Sequence, residues 1–297
     1  MESSFVHVTV LQEEAIAYLN VTPEGRYLDA TVGGGGHTAA LVEAGAKHIV
    51  ALDRDRAALA AAQQRLEPYR DRATIEFVHT NFADYQPPEL FDGIIADLGV
   101  SSPQLDRPER GFSFRHDAPL DMRMNPDSDL PTAADWVNHR DEEELVKIFS
   151  EFGEERFSKR IARQIVARRP FSSTTQLANA IRDSVPGKAR YGRIHPATRV
   201  FQALRIAVNG ELDALDRLLH AAPTWLHPDG RLVIISFHSL EDRRVKWGFR
   251  NDERLKILTK KPVQANESET RSNPRARSAK LRAAQRLPIS PESRLRS

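Results

Sequence analysis

Four consecutive glycines, at positions 33–36, follow a short apolar run and precede a segment of helix-forming residues. Glycine has no Cβ, so where a strand turns into a helix the backbone N–H groups of such a loop can approach a bound ligand closely. One carboxylate, Asp29, begins this loop, and a second, Asp53, ends the next apolar run. Together these features predict a site for a cofactor that contains a nucleoside.

Apolar strand-like runs alternate with helix-like segments on both sides of the glycines. Strands are predicted at 26–31, 48–52, 74–79, 91–96 and 231–237, and helices at 38–44, 56–66 and 197–219. Such alternation predicts a parallel α/β sheet. Two final strands are predicted at 255–259 and 278–286, with a polar, mobile loop at 260–277 between them.

The alternation stops between residues 104 and 193, where helices are predicted at 141–152, 155–168 and 175–183. A stretch of about 100 residues without a strand, placed inside a sheet, predicts an inserted helical domain. We therefore predict a discontinuous α/β domain over residues 1–106 and 206–297. The insert, residues 107–205, is predicted to recognise the substrate.

The 297-residue chain contains no cysteine. Disulfides, cysteine metal sites and a covalent thiolate mechanism are therefore excluded. Metal sites built from histidine or carboxylate alone stay open, but the ten histidines show no HExxH-like pattern, and no metal is predicted. No apolar run approaches the ~20 residues of a membrane helix, and residues 1–11 lack the apolar centre of a signal peptide, so we predict a cytoplasmic protein.

The net charge of +2 conceals an uneven distribution. Residues 243–297 contain sixteen Lys or Arg and five Asp or Glu, a local charge of +11 that leaves −9 on the rest of the chain. A basic segment on an acidic body favours a polyanionic partner, most simply nucleic acid. The alternative is a solvated tail.

Four notable positions are predicted at the carboxyl ends of strands, where open parallel sheets bind ligands. They are Asp29 with the glycines, Asp53, the pair Asn81-Phe82, and Asp97. The dinucleotide pattern GxGxxG, begun at Gly33, requires glycine where the chain has Thr38. S-adenosylmethionine has no phosphate, and its cationic groups favour nearby carboxylates, so we predict it ahead of NAD.

Each predicted cofactor contact follows from chemistry. Backbone groups are predicted to line the methionine portion at Gly35, Gly36 and His37. The Asp53 carboxylate would accept hydrogen bonds from the ribose hydroxyls, the Phe82 ring would pack on adenine, and Asp97 would face the methionine amino group or the substrate. The structural alternatives are a helix-start role for His37, a core position for Phe82, a helix cap for Asp53 and a turn for Asp97.

The segment after the fourth predicted strand indicates which kind of group accepts the methyl group. Its sequence Ser102-Pro103-Gln104-Leu105 is an imperfect match to the (D/N/S)PP(Y/F) element with which amino-methylating enzymes hold the exocyclic amine of a base. Methylation at cytosine C5 usually needs a cysteine adduct, which this chain cannot form. An amino nitrogen can instead attack the methyl group directly, provided that acceptors hold its N–H groups and the base is unpaired or flipped out.

Seven sequence blocks, in this order along the chain, resemble the ribosomal RNA small subunit methyltransferase H family. The resemblance runs from His7 to Arg286. The blocks are DATVGGGGH at 29–37, DLGVSSPQLD at 97–106, ERGFSF at 109–114, LDMRM at 120–124, HPATR at 195–199, SFHSLED at 236–242 and NPRAR at 273–277. The resemblance implies the class I S-adenosylmethionine-dependent methyltransferase fold with an inserted helical domain. It also implies methylation of the N4 amine of a cytidine in the decoding region of 16S rRNA, with the small ribosomal subunit as partner.

The resemblance assigns individual residues as well. The family's cofactor contacts match Gly35, Gly36, His37, Asp53, Phe82, Asp97 and Gln104, and the role of Gln104 comes from the family alone. The candidates for holding the substrate are Asp97, Ser102, Pro103 and His238. No general base is assigned, because the methylated amine becomes acidic and can lose its proton after attack. The family often has a bulkier residue at Gly34, so we expect a more flexible loop here.

Two other functions stay open on the residues themselves. One is methylation of adenine N6, which uses similar acceptors, and the other is an RNA-binding protein that keeps the cofactor pocket without turnover. The carboxylates at the strand ends argue against the second.

Within the insert, the cations of one helix face are predicted to contact phosphates, unless that face is only solvated. They are Arg156, Lys159, Arg160 and Arg163. Phe112 and Phe114 are predicted either to stack on a base or to pack the insert onto the sheet.

Overall fold

A computed structural model describes residues 9–192 and 194–288, without the side chains of Ser102 and Pro103. The chain divides into two compact units, the first built from Met1–Ser101 and Leu212–Ser297 and the second from Ser102–Glu211. These limits differ by five and six residues from the boundaries predicted at 106/107 and 205/206.

The first unit contains a seven-stranded sheet. Its strands are β1 (Arg26–Asp29), β2 (His48–Asp53), β3 (Thr74–His79), β4 (Phe91–Asp97), β5 (Leu226–Ser236), β6 (Leu255–Ile257) and β7 (Lys280–Arg286). The order is β3-β2-β1-β4-β5-β7-β6, with β1 to β5 parallel and β7 antiparallel to both of its neighbours. This mostly parallel, Rossmann-like sheet confirms the predicted class I methyltransferase fold, and its order reverses between β1 and β4.

The helices follow in chain order. They are α1 (Gln12–Leu19), α2 (Gly36–Glu43), α3 (Arg56–Leu66), α4 (Ser102–Asp106), α5 (Ala133–His139), α6 (Glu142–Glu151), α7 (Ser158–Arg168), α8 (Thr174–Ser184), α9 (Gly187–Arg190), α10 (Ala197–Asn209), α11 (Glu211–Ala221), α12 (Ser239–Asn251) and α13 (Glu267–Ser272). In the part of the chain that the structure describes, no helix is long and apolar enough to cross a bilayer.

Both faces of the central strands are buried. Leu28 and Ile94 belong to one apolar cluster, with residues of α11 and α12, whereas Tyr27 and Ile95 belong to another, with residues of α1 and α2. Successive residues of a strand point to opposite faces, so a strand covered by helices on both sides must be apolar throughout. This explains why the central strands appear in the sequence as continuous apolar runs.

The predicted helix at 197–219 is two helices, so that prediction was wrong. Gly210 lies between α10 and α11 with φ of +60°. Its N–H donates to the Ile206 carbonyl and closes α10. Glycine enters this left-handed conformation without the Cβ penalty that other residues incur, and it commonly ends helices in this way.

The prediction of a mobile loop at 260–277 was also wrong. Residues 267–272 form α13, and a 3-10 helix, Pro274–Ser278, follows it. The Asn266 side chain accepts a hydrogen bond from the Glu269 N–H at 2.8 Å and caps α13. Glu269 in turn accepts from the Leu11 N–H at 2.8 Å. The polar composition did not predict this ordered segment, because its order comes from helix caps and from one hydrogen bond to a residue 258 positions away.

The second unit has its own apolar core, built from residues of α5 to α8 and α10. The three helices predicted there are confirmed within three residues as α6, α7 and α8. Phe112 and Phe114 pack against this core, with the Phe114 ring 4.9 Å from that of Phe201 between centroids. These contacts lie within the insert itself.

The predicted phosphate-binding face on and beside α7 is solvent-exposed at Arg156, Lys159, Arg160 and Arg163. The Arg163 guanidinium lies 3.6 Å from the Glu142 carboxylate, an exposed pair of the kind that contributes little stability. The RNA role of this face stays a prediction.

Candidate active site

The ends of β1 and β4 meet where the strand order reverses. Asp29 ends β1 and Asp97 ends β4. The Asp97 N–H donates to the Thr31 hydroxyl at 2.6 Å, which joins the loop after β1 to the end of β4. Both carboxylates therefore lie at the edge of the sheet where ligands bind in this architecture.

Asp29 is buried beneath the glycine loop. Its carboxylate accepts hydrogen bonds from the Thr38 hydroxyl at 2.7 Å and from the Thr31 N–H at 3.2 Å. Burial raises the pKa of Asp29 above its usual range, and the nearby His37 partly offsets this effect. Thr38, the residue that departs from the dinucleotide pattern, thus holds Asp29 against the start of α2.

The ring of His37 lies in the first turn of α2 and is only 5% exposed. Its Nε2 is 3.6 Å from Asp97 Oδ2. Both ring nitrogens and Asp97 Oδ1 are buried and have no hydrogen-bond partner among the described residues. Buried polar atoms are almost always paired, so three such atoms beside a glycine loop indicate a place where a polar ligand binds.

Asp53 joins the loops that follow β1 and β2. Its carboxylate accepts from the Gly33 N–H and from the Asp55 N–H, each at 2.9 Å. Burial raises the pKa of Asp53 to about 6. Asp55, whose side chain accepts from the Ala57 N–H at 3.0 Å, is the cap of α3, so the alternative that Asp53 caps this helix is wrong. Each Asp53 oxygen keeps a second lone pair for a ligand hydroxyl.

The glycine loop is constrained at individual positions. Gly33 and Gly35 have φ of +50° and +79°, where side chains with a Cβ are strained. A Cβ on Gly36 would lie 1.9 Å from the Thr9 hydroxyl oxygen, so no side chain fits there unless Thr9 moves. A Cβ on Gly34 would meet no atom within 4 Å, which leaves room for the bulkier residue of the family.

Thr9 lies beside the glycine loop and was not predicted from the sequence. The residue is 6% exposed, and its hydroxyl has no hydrogen-bond partner in the described ranges. It is held against Gly36 by the chain that follows, since the Leu11 N–H is bound to Glu269. A single threonine near the start of a helix carries no recognisable motif, so only the tertiary contact with Gly36 reveals it.

Phe82 follows β3 in a 3-10 helix, Phe82–Asp84. The Asn81 side chain accepts from the Ala83 N–H at 3.1 Å and fixes this turn. The Phe82 ring packs against the apolar cluster on one side of the sheet and remains partly exposed. It therefore has a core contact and an accessible surface at the same time.

His238 lies just beyond β5, at a strand end as predicted, and is the N-cap of α12. Its Nδ1 accepts from the Glu241 N–H at 3.4 Å, and its Nε2 lies 3.2 Å from Glu241 Oε1. Glu241 also accepts from the Phe237 N–H at 2.8 Å. The imidazole thus has a structural role in starting α12, and its substrate role stays a prediction.

Gln104 lies on α4, in the second unit, and is 3% exposed. The side chains of Ser102 and Pro103, on the same helix, fall outside the described part of the structure. The roles predicted for these three residues therefore stay predictions.

A family model described as the MraW methylase family matches residues 4–287. The chain belongs to the MraW methylase family. A relative named "Ribosomal RNA small subunit methyltransferase H" from Synechococcus sp. is 58% identical over 294 residues, which cover 95% of this chain and 92% of that protein. A relative of the same name from Nostoc punctiforme is 59% identical over 288 residues, 96% of each chain.

Among solved structures, an rRNA methylase from Streptococcus thermophilus is similar over 95% of this chain and 98% of that one, with a TM-score of 0.44 and 12% identity. The family predicted from the seven sequence blocks is confirmed by the family match and the relatives. Membership of a methylase family, together with the class I sheet, also confirms S-adenosylmethionine as the cofactor.

Proposed function

We propose that this protein transfers a methyl group from S-adenosylmethionine to the N4 amine of a cytidine in the decoding region of 16S rRNA, in the cytoplasm. The observation that carries the proposal is the buried Oδ1 of Asp97, at the switch point of the sheet, in a chain without cysteine. Among the described residues this oxygen has no hydrogen-bond partner. The names of the relatives, all small-subunit rRNA methyltransferases, support the substrate.

The residues of the site fit the cofactor. When bound, S-adenosylmethionine supplies a methyl group on a cationic sulfur. Asp53 holds the ribose hydroxyls through the lone pairs that its two backbone bonds leave unused, and the exposed part of Phe82 covers the adenine. The backbone of Gly35, Gly36 and His37 lines the methionine portion. Gln104 is a further cofactor contact, a role that comes from the family resemblance alone.

Asp97 connects the cofactor to the acceptor amine. Its Oδ1 accepts a hydrogen bond either from the methionine ammonium or from the cytosine amino group, and His37 stands beside its Oδ2. A fixed carboxylate stabilises the positive charge that develops on a nitrogen during methyl transfer. Ser102, Pro103 and His238 position the base. The proton passes from the methylated nitrogen to solvent water after attack, so no residue acts as a base beforehand.

Thr9 is a further part of the same site in this proposal, because its hydroxyl lies against the loop that holds the methionine portion. Thr9→Val removes the hydroxyl and keeps the shape. Since the hydroxyl has no partner in the described protein, we expect the melting temperature without cofactor to stay the same or rise. We expect affinity for S-adenosylmethionine to fall about 5-fold, the value of one lost hydrogen bond.

Calorimetric titration together with thermal melting checks this prediction, and Thr9→Ser is the matched control that should keep affinity. A Thr9→Val protein that melts lower but binds S-adenosylmethionine normally would show that the hydroxyl has only a structural role, bound to an ordered water.

The pKa of Asp53 predicts how cofactor binding depends on pH. In the folded protein this pKa is raised from 3.8 to about 6, so the group favours folding below about pH 4, and that contribution is lost as pH rises to about 6. Ribose hydroxyls bind best to the ionised carboxylate. We therefore expect affinity for S-adenosylmethionine to be about 10-fold weaker at pH 5 than above pH 7, with one proton released on binding near pH 5.

Calorimetry in two buffers with different ionisation enthalpies measures both quantities. Asp53→Asn, which cannot ionise, should bind weakly and without this change between pH 5 and 7. The same pH dependence in Asp53→Asn would assign the titration to another group.

The substrate itself is tested by nucleoside mapping. The protein is incubated with labelled S-adenosylmethionine and either 16S rRNA or small subunits from a strain that lacks the enzyme, and the digested nucleosides are identified by mass. N4-methylcytidine in the decoding region is the expected product. N6-methyladenosine or 5-methylcytidine would overturn the assignment, and the comparison of the two substrates shows which form of the RNA is accepted.

A further inference from the structure

One side of α12 carries exposed cations around an exposed tryptophan. We name this surface the α12 cationic face, and it consists of Arg243, Lys246, Trp247 and Arg250. Residues three, four and seven positions apart lie on the same side of a helix. All four are exposed and none is acidic, whereas Val245 and Phe249, on the other side of α12, belong to the apolar core.

Trp247 is the exposed aromatic residue of this face. Its residue surface is 47% exposed. The Lys246 Nζ lies 5.3 Å from the ring centroid, and the Arg250 guanidinium carbon lies 5.4 Å from the centroid of the same ring. An exposed indole forgoes the stability that burial would provide. An exposed aromatic ring beside two cations matches a nucleotide, whose base stacks on the ring while the phosphate meets the cations.

A groove of about 700 Å³ adjoins the ring, between α11 and the end of α12. Its own charges are largely paired: Arg244 lies 3.2 Å from Asp216, and Arg254 lies 2.6 Å from Asp252. Gly248 lines the groove, and a Cβ added there would lie 3.0 Å from the Leu219 side chain. A volume of this size is in the range of small-molecule sites and accommodates a nucleobase.

We propose that the α12 cationic face is an RNA-docking surface separate from the active site. An unpaired base of the substrate RNA stacks on Trp247 and enters the groove, while Arg243, Lys246 and Arg250 contact the neighbouring phosphates. Helix geometry places Trp247 about 14 Å along α12 from His238, at the strand end, so one RNA segment reaches both places. The identity of the RNA rests on the proposed function, but the surface itself requires only a single-stranded polyanion with bases.

Fluorescence titration with a single-stranded RNA oligonucleotide, without S-adenosylmethionine, tests this proposal. Stacking is expected to quench the indole emission of the native protein, and Trp247→Leu should lose the quenching and bind RNA about 5-fold or more weakly. Lys246→Gln with Arg250→Gln should lower the slope of log affinity against log salt by about 0.7 for each phosphate that the protein no longer neutralises. Arg70→Gln, an exposed cation beyond α3 that lies off this face, is the matched control.

Folding and catalysis are followed in the same variants. Melting temperature, S-adenosylmethionine affinity and kcat should not change, while KM for the RNA substrate rises. Unchanged RNA affinity and salt slope in the variants would overturn the proposal. So would variants that weaken binding to small subunits but not to protein-free RNA, because the face would then contact a ribosomal protein. Because RNA binding is measured without methyl transfer, a wrong target nucleoside would not affect this result.

Discussion

Asp97→Asn is expected to reduce methyl transfer by about 100-fold or more while the protein stays folded. The substitution keeps the shape of the side chain and leaves the bond from the residue 97 N–H to the Thr31 hydroxyl in place, because that bond uses only the backbone. It removes the negative charge whose Oδ1 is buried and unpartnered within the described structure. Single-turnover transfer of a labelled methyl group to 16S rRNA measures the effect on the chemical step.

The matched control is Asp92→Asn, on the same strand at its other end. Asp92 accepts a hydrogen bond from the Arg26 N–H at 2.8 Å, far along β4 from the cofactor loop. This variant is expected to melt at a lower temperature and to transfer methyl groups normally. Full activity of Asp97→Asn would remove Asp97 from the site and leave only the turn that the sequence offered as its alternative role.

Asp53→Ala is expected to weaken S-adenosylmethionine binding about 100-fold or more. Two hydrogen bonds from ribose hydroxyls to a charged acceptor are lost, each worth about 1.5–3 kcal/mol. The Gly33 N–H loses its acceptor at the same time, so the glycine loop is held less firmly. Calorimetric titration measures the affinity, and nuclear magnetic resonance of the loop amides shows whether the loop has loosened.

Asp55→Ala separates this effect from a general loss of stability. Asp55 is two residues away and caps α3, so its removal should cost about 1 kcal/mol of folding free energy. Cofactor affinity should change little in that variant. If Asp53→Ala binds S-adenosylmethionine as tightly as the native protein, the ribose assignment is wrong and Asp53 serves only to join the two loops.

Both predictions concern residues that the sequence alone identified, and the reason is local. A carboxylate directly after an apolar run lies at the end of a strand, and parallel strands bring all such ends to one edge of the sheet. Asp29, Asp53 and Asp97 were predictable for this reason. The parallel direction of the first four strands followed from the alternation of strands and helices along that part of the chain.

Other features depended on contacts between distant parts of the chain. Asp53 was predicted as a ligand acceptor, but its bond to the Gly33 N–H joins residues twenty positions apart and makes it part of the loop's support. His238 was predicted only as a substrate contact, yet its ring also caps α12 through Glu241. A sequence motif shows where a residue lies along a strand. The hydrogen-bond partners of that residue depend on how the loops fold back onto the strand end.

The sequence by itself determined the class of sheet, the cofactor and the family, because strand periodicity, strand-end carboxylates and ordered motifs are all encoded within short segments. The tertiary structure alone decided that Thr9 lies against Gly36 and that α13 holds the residues next to Thr9. It also decided that Trp247 is exposed on α12 and lies close to two cations. These features are set by burial and by contacts between distant residues. They depend on the packing of the whole unit and produce no periodic pattern in the sequence.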